Sequence, residues 1–388
     1  MSVDRRAVIG FGVLGASALA TGAVVFLRSR PDMRGLVGQA ATLNGFAGGE
    51  KMAFLANPKT VEALKRRGFV LNADREGSVE QVRDPQLLGR KPDFLWPSSA
   101  PLVELAKKNT KVLNDQVIFN SPIVVYSWES IAEGLVKVGM ATKEAAHYRV
   151  DAKALIQAVL DSKPWSDLGQ TDLYGHVRLI ATDPNKSNSG FMFAGLAADI
   201  LSGDVANAAS LPKVLPQVVA LFEAMGFKSH SSGQAFDDYI AGGPGAQPLV
   251  VGYENQLVEW IIADPDRWKR VQASSGARPV TLYLHPTVYS AHPLIALSQP
   301  SLPLIDAFMS PELQAIGWRD HGFRGPLGAI GADTDPLVAG RMPAQVTDVA
   351  PMPDVDTMLA ILDGLSATPA QPGAPAPAAP SNDAVNGA

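Results

Sequence analysis

Residues 183–190, Asp-Pro-Asn-Lys-Ser-Asn-Ser-Gly, bring together the groups of this chain best suited to hold a ligand. Ser187, Asn188 and Ser189 close a polar loop. Residues 191–201 follow; they are apolar on nearly every side and read as a buried helix. Before the loop, residues 176–182 alternate and are rich in branched side chains, which predicts a strand. First-turn amides of a helix have no intrahelical acceptor, and the helix dipole is positive there. A helix starting at a Ser/Asn cluster can therefore bind an oxyanion or a carboxylate, with the hydroxyls adding donors. Lys186 can add positive charge. The simpler alternative is that Ser187 or Asn188 only caps the helix.

Such a loop needs a scaffold, and the first third of the chain suggests one. Residues 42–46 read as a strand followed by Gly48-Gly49-Glu50. Asn57-Pro58 then opens a helix, with Asn as cap and Pro in the first position. Residues 69–71 begin a second strand that leads to Gly77-Ser78, and residues 93–96 form a third that leads to Pro97-Ser98-Ser99. Strand-then-helix repetition predicts a mostly parallel sheet with helices on its faces, and ligands of such sheets sit beyond the carboxyl ends of the strands. Further on, strands are expected at 120–126, 248–252, 280–284 and 293–297. Helices are expected at 128–138, 151–160, 211–222, 236–240, 254–262, 303–309, 311–318 and 355–365.

Composition removes several chemistries. The 388 residues contain no cysteine, so there are no disulfides and no thiolate nucleophile. The formal net charge of -5 and the lack of a long basic run argue against nucleic acid as a partner. The six histidines include no i, i+4 pair, so no metal site and no cofactor is expected. Ser210-Leu-Pro-Lys213 matches S-x-x-K, but Pro212 interrupts it and its companion motifs are absent. No G-x-S-x-G elbow occurs either, which leaves a serine-type hydrolase as a minor alternative. Glu50 and Glu254 are the candidates for a paired-carboxylate site, with nothing in their spacing to bring them together.

Both ends differ from the middle. Residues 7–27 form an apolar run of membrane-spanning length between Arg5-Arg6 and Arg28, which reads as an anchor or a signal peptide. Asp4-Arg5-Arg6 loosely matches a twin-arginine export signal. Gly10, Gly12 and Gly15 match G-x-G-x-x-G, but no two-faced helix follows, so a dinucleotide site is not expected. From 366 to 388 the chain is mostly Ala, Pro and Gly and reads as a disordered tail.

Taken in order, Gly48-Gly49-Glu50-Lys51, Gly77-Ser78, Asp93-Phe94-Leu95-Trp96-Pro97-Ser98-Ser99, Ser121 to Tyr126, Thr182 to Gly190 and Pro248 to Glu254 resemble the type II extracellular solute-binding proteins, the substrate-binding component of ABC-type importers. The resemblance implies an α/β fold of two lobes, each a mostly parallel sheet flanked by helices, with a ligand cleft between them. It assigns residues 35–120 and 285–365 to lobe 1 and 121–284 to lobe 2, with 1–34 as the signal or anchor segment. It implies ligand groups from Gly49, Glu50, Ser78, Ser98 and Ser99 on one wall, facing Ser187, Asn188, Ser189, Tyr253 and Glu254. Trp96 and Tyr126 can offer a stacking face. The function so implied is capture of a small polar or anionic solute outside the cytoplasm, without catalysis. The partners would be an ABC transporter permease and the membrane, the latter through residues 7–27. A membrane-tethered interaction or sensory module of the same fold is the alternative.

Overall fold

Strand β1 (Ala41–Ala47) turns Leu43 and Phe46 inward and lies between β2 (Phe69–Arg75) and β3 (Phe94–Trp96), parallel to both. The parallel pairing follows from the connections. Helix Pro58–Arg66, capped by Asn57, returns the chain from β1 to β2, and helix Ser78–Arg83 helps return it to β3. The computed structural model describes residues 40–366 except 227, 274–276, 329 and 332. The apolar run at 7–27, the twin-arginine and G-x-G-x-x-G motifs and the tail beyond Ser366 lie outside the described residues. Among the described residues no helix is long and apolar enough to cross a membrane.

The strand that organises the rest is β4 (Asn114–Trp128), fifteen residues and about 50 Å long. Its first part pairs antiparallel with β9 (Tyr289–Ala296), which in turn pairs with β3. Its last part pairs antiparallel with β7 (Val250–Tyr253) and β8 (Pro279–His285). β8 runs parallel to β6 (His147–Asp151), which forms a hairpin with β5 (Ala141–Glu144). The order is β2-β1-β3-β9-β4-β8-β6-β5, with β7 on β4. One sheet thus leads into the next through a single long strand. Ser121 to Trp128 are buried throughout, as an apolar run flanked on both edges must be.

The fold class is the expected one, with two refinements. The second sheet holds more antiparallel than parallel pairs, because β4 enters it from the first sheet and β7 and β8 both run against it. Residues 176–182 are extended but form no strand. Ile180 alone is bridged to β7, donating to Leu249 and accepting from Val251.

Helix Asn188–Ser202 is buried from Asn188 through Ile200, in keeping with its all-round apolar sequence. Its core continues through Ile123 to Tyr126 to the face of the first sheet that carries Phe46 and Leu95. The other face of that sheet holds an aromatic cluster of Phe54, Trp96, Phe119, Phe308 and Phe323, with Phe54 edge-on to Phe119 at 5.1 Å. The helices Leu302–Phe308 and Pro311–His321 belong to this first half. Beyond them the chain departs from the lobe assignment made for 285–365. Gly340 accepts from Ala146, at the hairpin of β5 and β6. Helix Val355–Ser366 packs on the helices Asn188–Ser202 and Leu211–Ala224 while touching Pro101–Asn109, where Lys108 meets Asp356 at 2.6 Å. Its apolar stripe of Met358, Ile361 and Leu362 finds its complement there.

Candidate functional site

The turns that follow β1, β2 and β3 converge at the carboxyl ends of those strands, and the segments 186–188 and 230–232 come up against them. Between them lies a cavity of ≈ 270 Å³, lined by Gly49, Glu50, Ser78, Lys186, Asn188 and Tyr253 among others. Two glycines make the approach possible. A Cβ on Gly77 would lie 2.2 Å from the Lys186 carbonyl oxygen, and one on Gly49 would lie 2.8 Å from Nε of Arg75. Arg75 reaches over Gly49 from the end of β2 and donates to the Ser231 hydroxyl at 2.7 Å.

Beneath the cavity lies a buried ionic cluster. The Lys51 ammonium sits 2.5 Å from Glu50 Oε1, donates to Ser98 Oγ at 2.7 Å and points at Nδ1 of His292 at 3.3 Å. Lys51 and His292 have no exposed surface. Ser98 donates its hydroxyl hydrogen bond to Glu50 and accepts from Ser78 at 3.2 Å. Burial pulls the Lys51 ammonium down, and Glu50 only partly offsets it. For Glu50, burial is the largest single influence and favours the neutral acid, but the Lys51 charge and the contacts of Lys51 and His292 together outweigh it and hold the carboxyl well below the usual range. Burial first, and then the Lys51 charge, push His292 down to about 4. At neutral pH the imidazole is therefore uncharged. Its Nδ1 accepts from Lys51, so the 3.4 Å approach of Nδ1 to Glu50 is not an ion pair. The cluster is one ion pair wrapped in neutral donors and acceptors, which is how a buried charge pair becomes tolerable.

Asn188 joins the two walls. Its Nδ2 donates to the Ser98 carbonyl at 2.8 Å and lies 3.1 Å from the Tyr253 hydroxyl and 3.4 Å from Ser290 Oγ. Its Oδ1 is buried without a partner. Ser290 itself donates to the Ser98 carbonyl. The Ser187 side chain makes no capping bond although it holds the N-cap position, so the simple capping alternative does not describe it. Thr182 takes that part instead, its hydroxyl accepting from the Gly190 amide at 2.8 Å.

Gly49, Glu50, Ser78, Ser187, Asn188 and Tyr253 thus share one cavity, with Ser98 directly under it. Three further residues named from the sequence lie elsewhere. Ser99 is fully buried off the cavity with its hydroxyl unpartnered. Ser189 faces Thr182 at 2.8 Å. Glu254 is turned away into a second buried ion pair, accepting from Arg324 at 2.6 and 2.7 Å and from Tyr283 at 2.5 Å. Adjacent residues of a strand end point to opposite sides, so Tyr253 and Glu254 cannot both face one cavity. Trp96 stacks in the aromatic cluster and Tyr126 packs on Phe236 and Tyr239, so neither offers a free face. Ser210 exchanges hydrogen bonds with Asn207 at the start of the next helix, far from any serine–lysine arrangement with Lys213.

Arg75, Glu76, Glu80, Ser290 and His292 were not legible as site residues. For the last two a signal existed: polar residues at alternate positions of an otherwise apolar strand, facing the same way. Among the described residues no cluster of carboxylates and imidazoles is arranged to hold a metal ion.

No family model matches the chain, and no curated protein matches it. Solved structures do. The chain is similar to a periplasmic thiamin binding protein, with a TM-score of 0.55 and 12% identity over 85% of this chain and 98% of that one. It is similar to the periplasmic binding protein AfuA from Actinobacillus pleuropneumoniae, solved with fructose-6-phosphate (TM-score 0.53, 12% identity, 84% and 99% covered). A third is an ABC transporter protein from Clostridium perfringens (TM-score 0.51, 11% identity, 83% and 96% covered). At these identities the likeness shows the fold, that of the two-lobed periplasmic binding proteins.

Proposed function

We propose that this protein is the extracytoplasmic solute-binding component of an importer and captures a small polar or anionic solute in the cavity under Asn188. The observation that carries the reading is the Asn188 bond to the Ser98 carbonyl at 2.8 Å, which closes a polar cavity between turns of the first sheet and the first turn of a buried helix. The two lobes would hinge where β4 passes from one sheet to the other and where β8 returns through β9. Residues 7–27 would hold the protein at the membrane beside an ABC permease.

The same fold without a transport partner, as a tethered sensory module, would use the same cavity. An enzyme is disfavoured by geometry. The contact of Ser98 with Lys51 at 2.7 Å is fully buried, and its hydroxyl proton is engaged by Glu50.

Native mass spectrometry of the detergent-solubilised full chain tests the proposal. A small molecule retained by the wild type and lost in Asn188→Ala is the expected result. Turnover of a chromogenic ester, or a ligand retained equally by both proteins, would overturn it.

A further inference from the structure

The cavity carries charges that the buried cluster leaves over. Glu76 and Glu80 line it, both half-buried, and neither carboxylate has a hydrogen bond or an ion pair among the described residues. Among the described residues Lys186, which also lines it, has no ion pair, and Arg75 is bonded only to the neutral Ser231. Glu50 is already matched by Lys51. Two carboxylates and two cations, none of them in an ion pair among the described residues, therefore line a cavity of ≈ 270 Å³. Burial, and then the neighbouring Glu80, hold Glu76 above the ordinary carboxylate range, and the Arg90 charge offsets this only in part.

An independent feature of the same lining asks for a donor. Asn188 is 3% exposed, and its Nδ2 is spoken for by the Ser98 carbonyl, so the amide is oriented with Oδ1 as an acceptor that nothing among the described residues meets. On the opposing account stand the first-turn amides of helix Asn188–Ser202 and the Ser187 hydroxyl, which makes no cap and meets only the Ser189 hydroxyl, at 3.3 Å, among the described residues; these suit an acidic group.

We infer that the ligand is a compact zwitterion, with an ammonium group met by Glu76, Glu80 and Asn188 Oδ1 and an acidic group met by Lys186, Arg75 and the start of helix Asn188–Ser202. This rests on the solute-binding reading above and narrows it. A simple anion enclosed here would leave two carboxylates facing it, and a simple cation would leave Lys186 and Arg75 facing it. Either would lose its hydration without full compensation. A molecule with both charges satisfies both sets, and the cavity volume keeps it small.

Titration calorimetry on the full chain in detergent, cleared of bound ligand, tests this with β-alanine, taurine and O-phosphoethanolamine beside ethylamine, propionate, sulfate and inorganic phosphate. At least one zwitterion should bind tenfold or more tightly than any single-charge probe. The double variant Glu76→Gln/Glu80→Gln should erase that advantage and strengthen phosphate binding, and Lys186→Met should weaken the zwitterion. An amine-free anion binding as tightly as every zwitterion overturns the inference and leaves the solute-binding reading in place. If no probe binds and native mass spectrometry finds no retained molecule, both fall.

Discussion

Asn188 and Ser98 are ninety residues apart in sequence, and the side-chain amide of one donates to the carbonyl of the other at 2.8 Å. That bond joins the first turn of helix Asn188–Ser202 to the turn after β3, and it is made where both groups are buried. The Ser98 carbonyl has the Ser290 hydroxyl as a second donor, so loss of Asn188 removes one of its two bonds and leaves it partly satisfied.

Asn188→Ala is therefore expected to cost about 0.5–1.5 kcal/mol, roughly two- to tenfold in ligand affinity. Calorimetric titration with the copurified molecule reads the loss. Small-angle scattering of the ligand-free variant should show a larger radius of gyration than the wild type. Unchanged affinity and unchanged radius would mean that the bond does not hold the cleft.

Lys51→Met leaves the Glu50 carboxylate buried without its counterion, and should destabilise the protein by about 3–5 kcal/mol. The double variant Glu50→Gln/Lys51→Met removes both charges and should recover most of that loss. Urea unfolding measures both. A double variant as unstable as the single one would show that packing rather than charge sets the cost.

His292 gives the site a pH dependence whose sign can be stated. Above pH 6.5 the imidazole is neutral in both folded and unfolded chains. Between 6.5 and about 4 the unfolded chain takes up a proton that the native one refuses, so stability falls as pH falls through that window. The full effect is on the order of 3 kcal/mol. Glu50, held low, adds a loss of the same sign only below its ordinary range. Asp199, pushed up to about 7 by burial, slopes the other way, so the comparison of variants is the informative quantity. His292→Gln should flatten the change in urea midpoint between pH 7 and pH 4.5 relative to the wild type. An identical slope in both would place the titrating group elsewhere.

Some of the site was readable because it depends on local patterns. Gly49-Glu50, Ser78 and Ser98 follow strands whose apolar runs and helix connections announce a parallel arrangement, and strand ends of such a sheet necessarily meet. Ser187 and Asn188 precede a helix too apolar to lie anywhere but inside. Arg75, Glu76 and Glu80 went unnoticed because a charged residue near a turn is ordinarily solvated, and only the approach of Lys186 to Gly77 encloses them.

By itself the sequence determined most of the strands and helices, the Asn57 cap, the alternation that builds the first sheet, and the turns that carry Gly49, Glu50, Ser78, Ser98, Ser187 and Asn188. These follow from periodicity and from the chemistry of helix starts, which act over a few residues. The sequence did not show the hairpin of β5 and β6, and it suggested a strand at 176–182 that does not form. Tertiary structure alone decided which neighbour of a pair faces the cavity, Tyr253 rather than Glu254, and which charges cancel. Lys51 is adjacent to Glu50 in sequence, yet their pair is shaped by Ser98 and His292, while Glu254 finds its partner seventy residues on at Arg324. Those outcomes depend on burial and on distances between remote segments, because a charge removed from water must be matched wherever the fold brings a partner, and sequence spacing does not encode that distance.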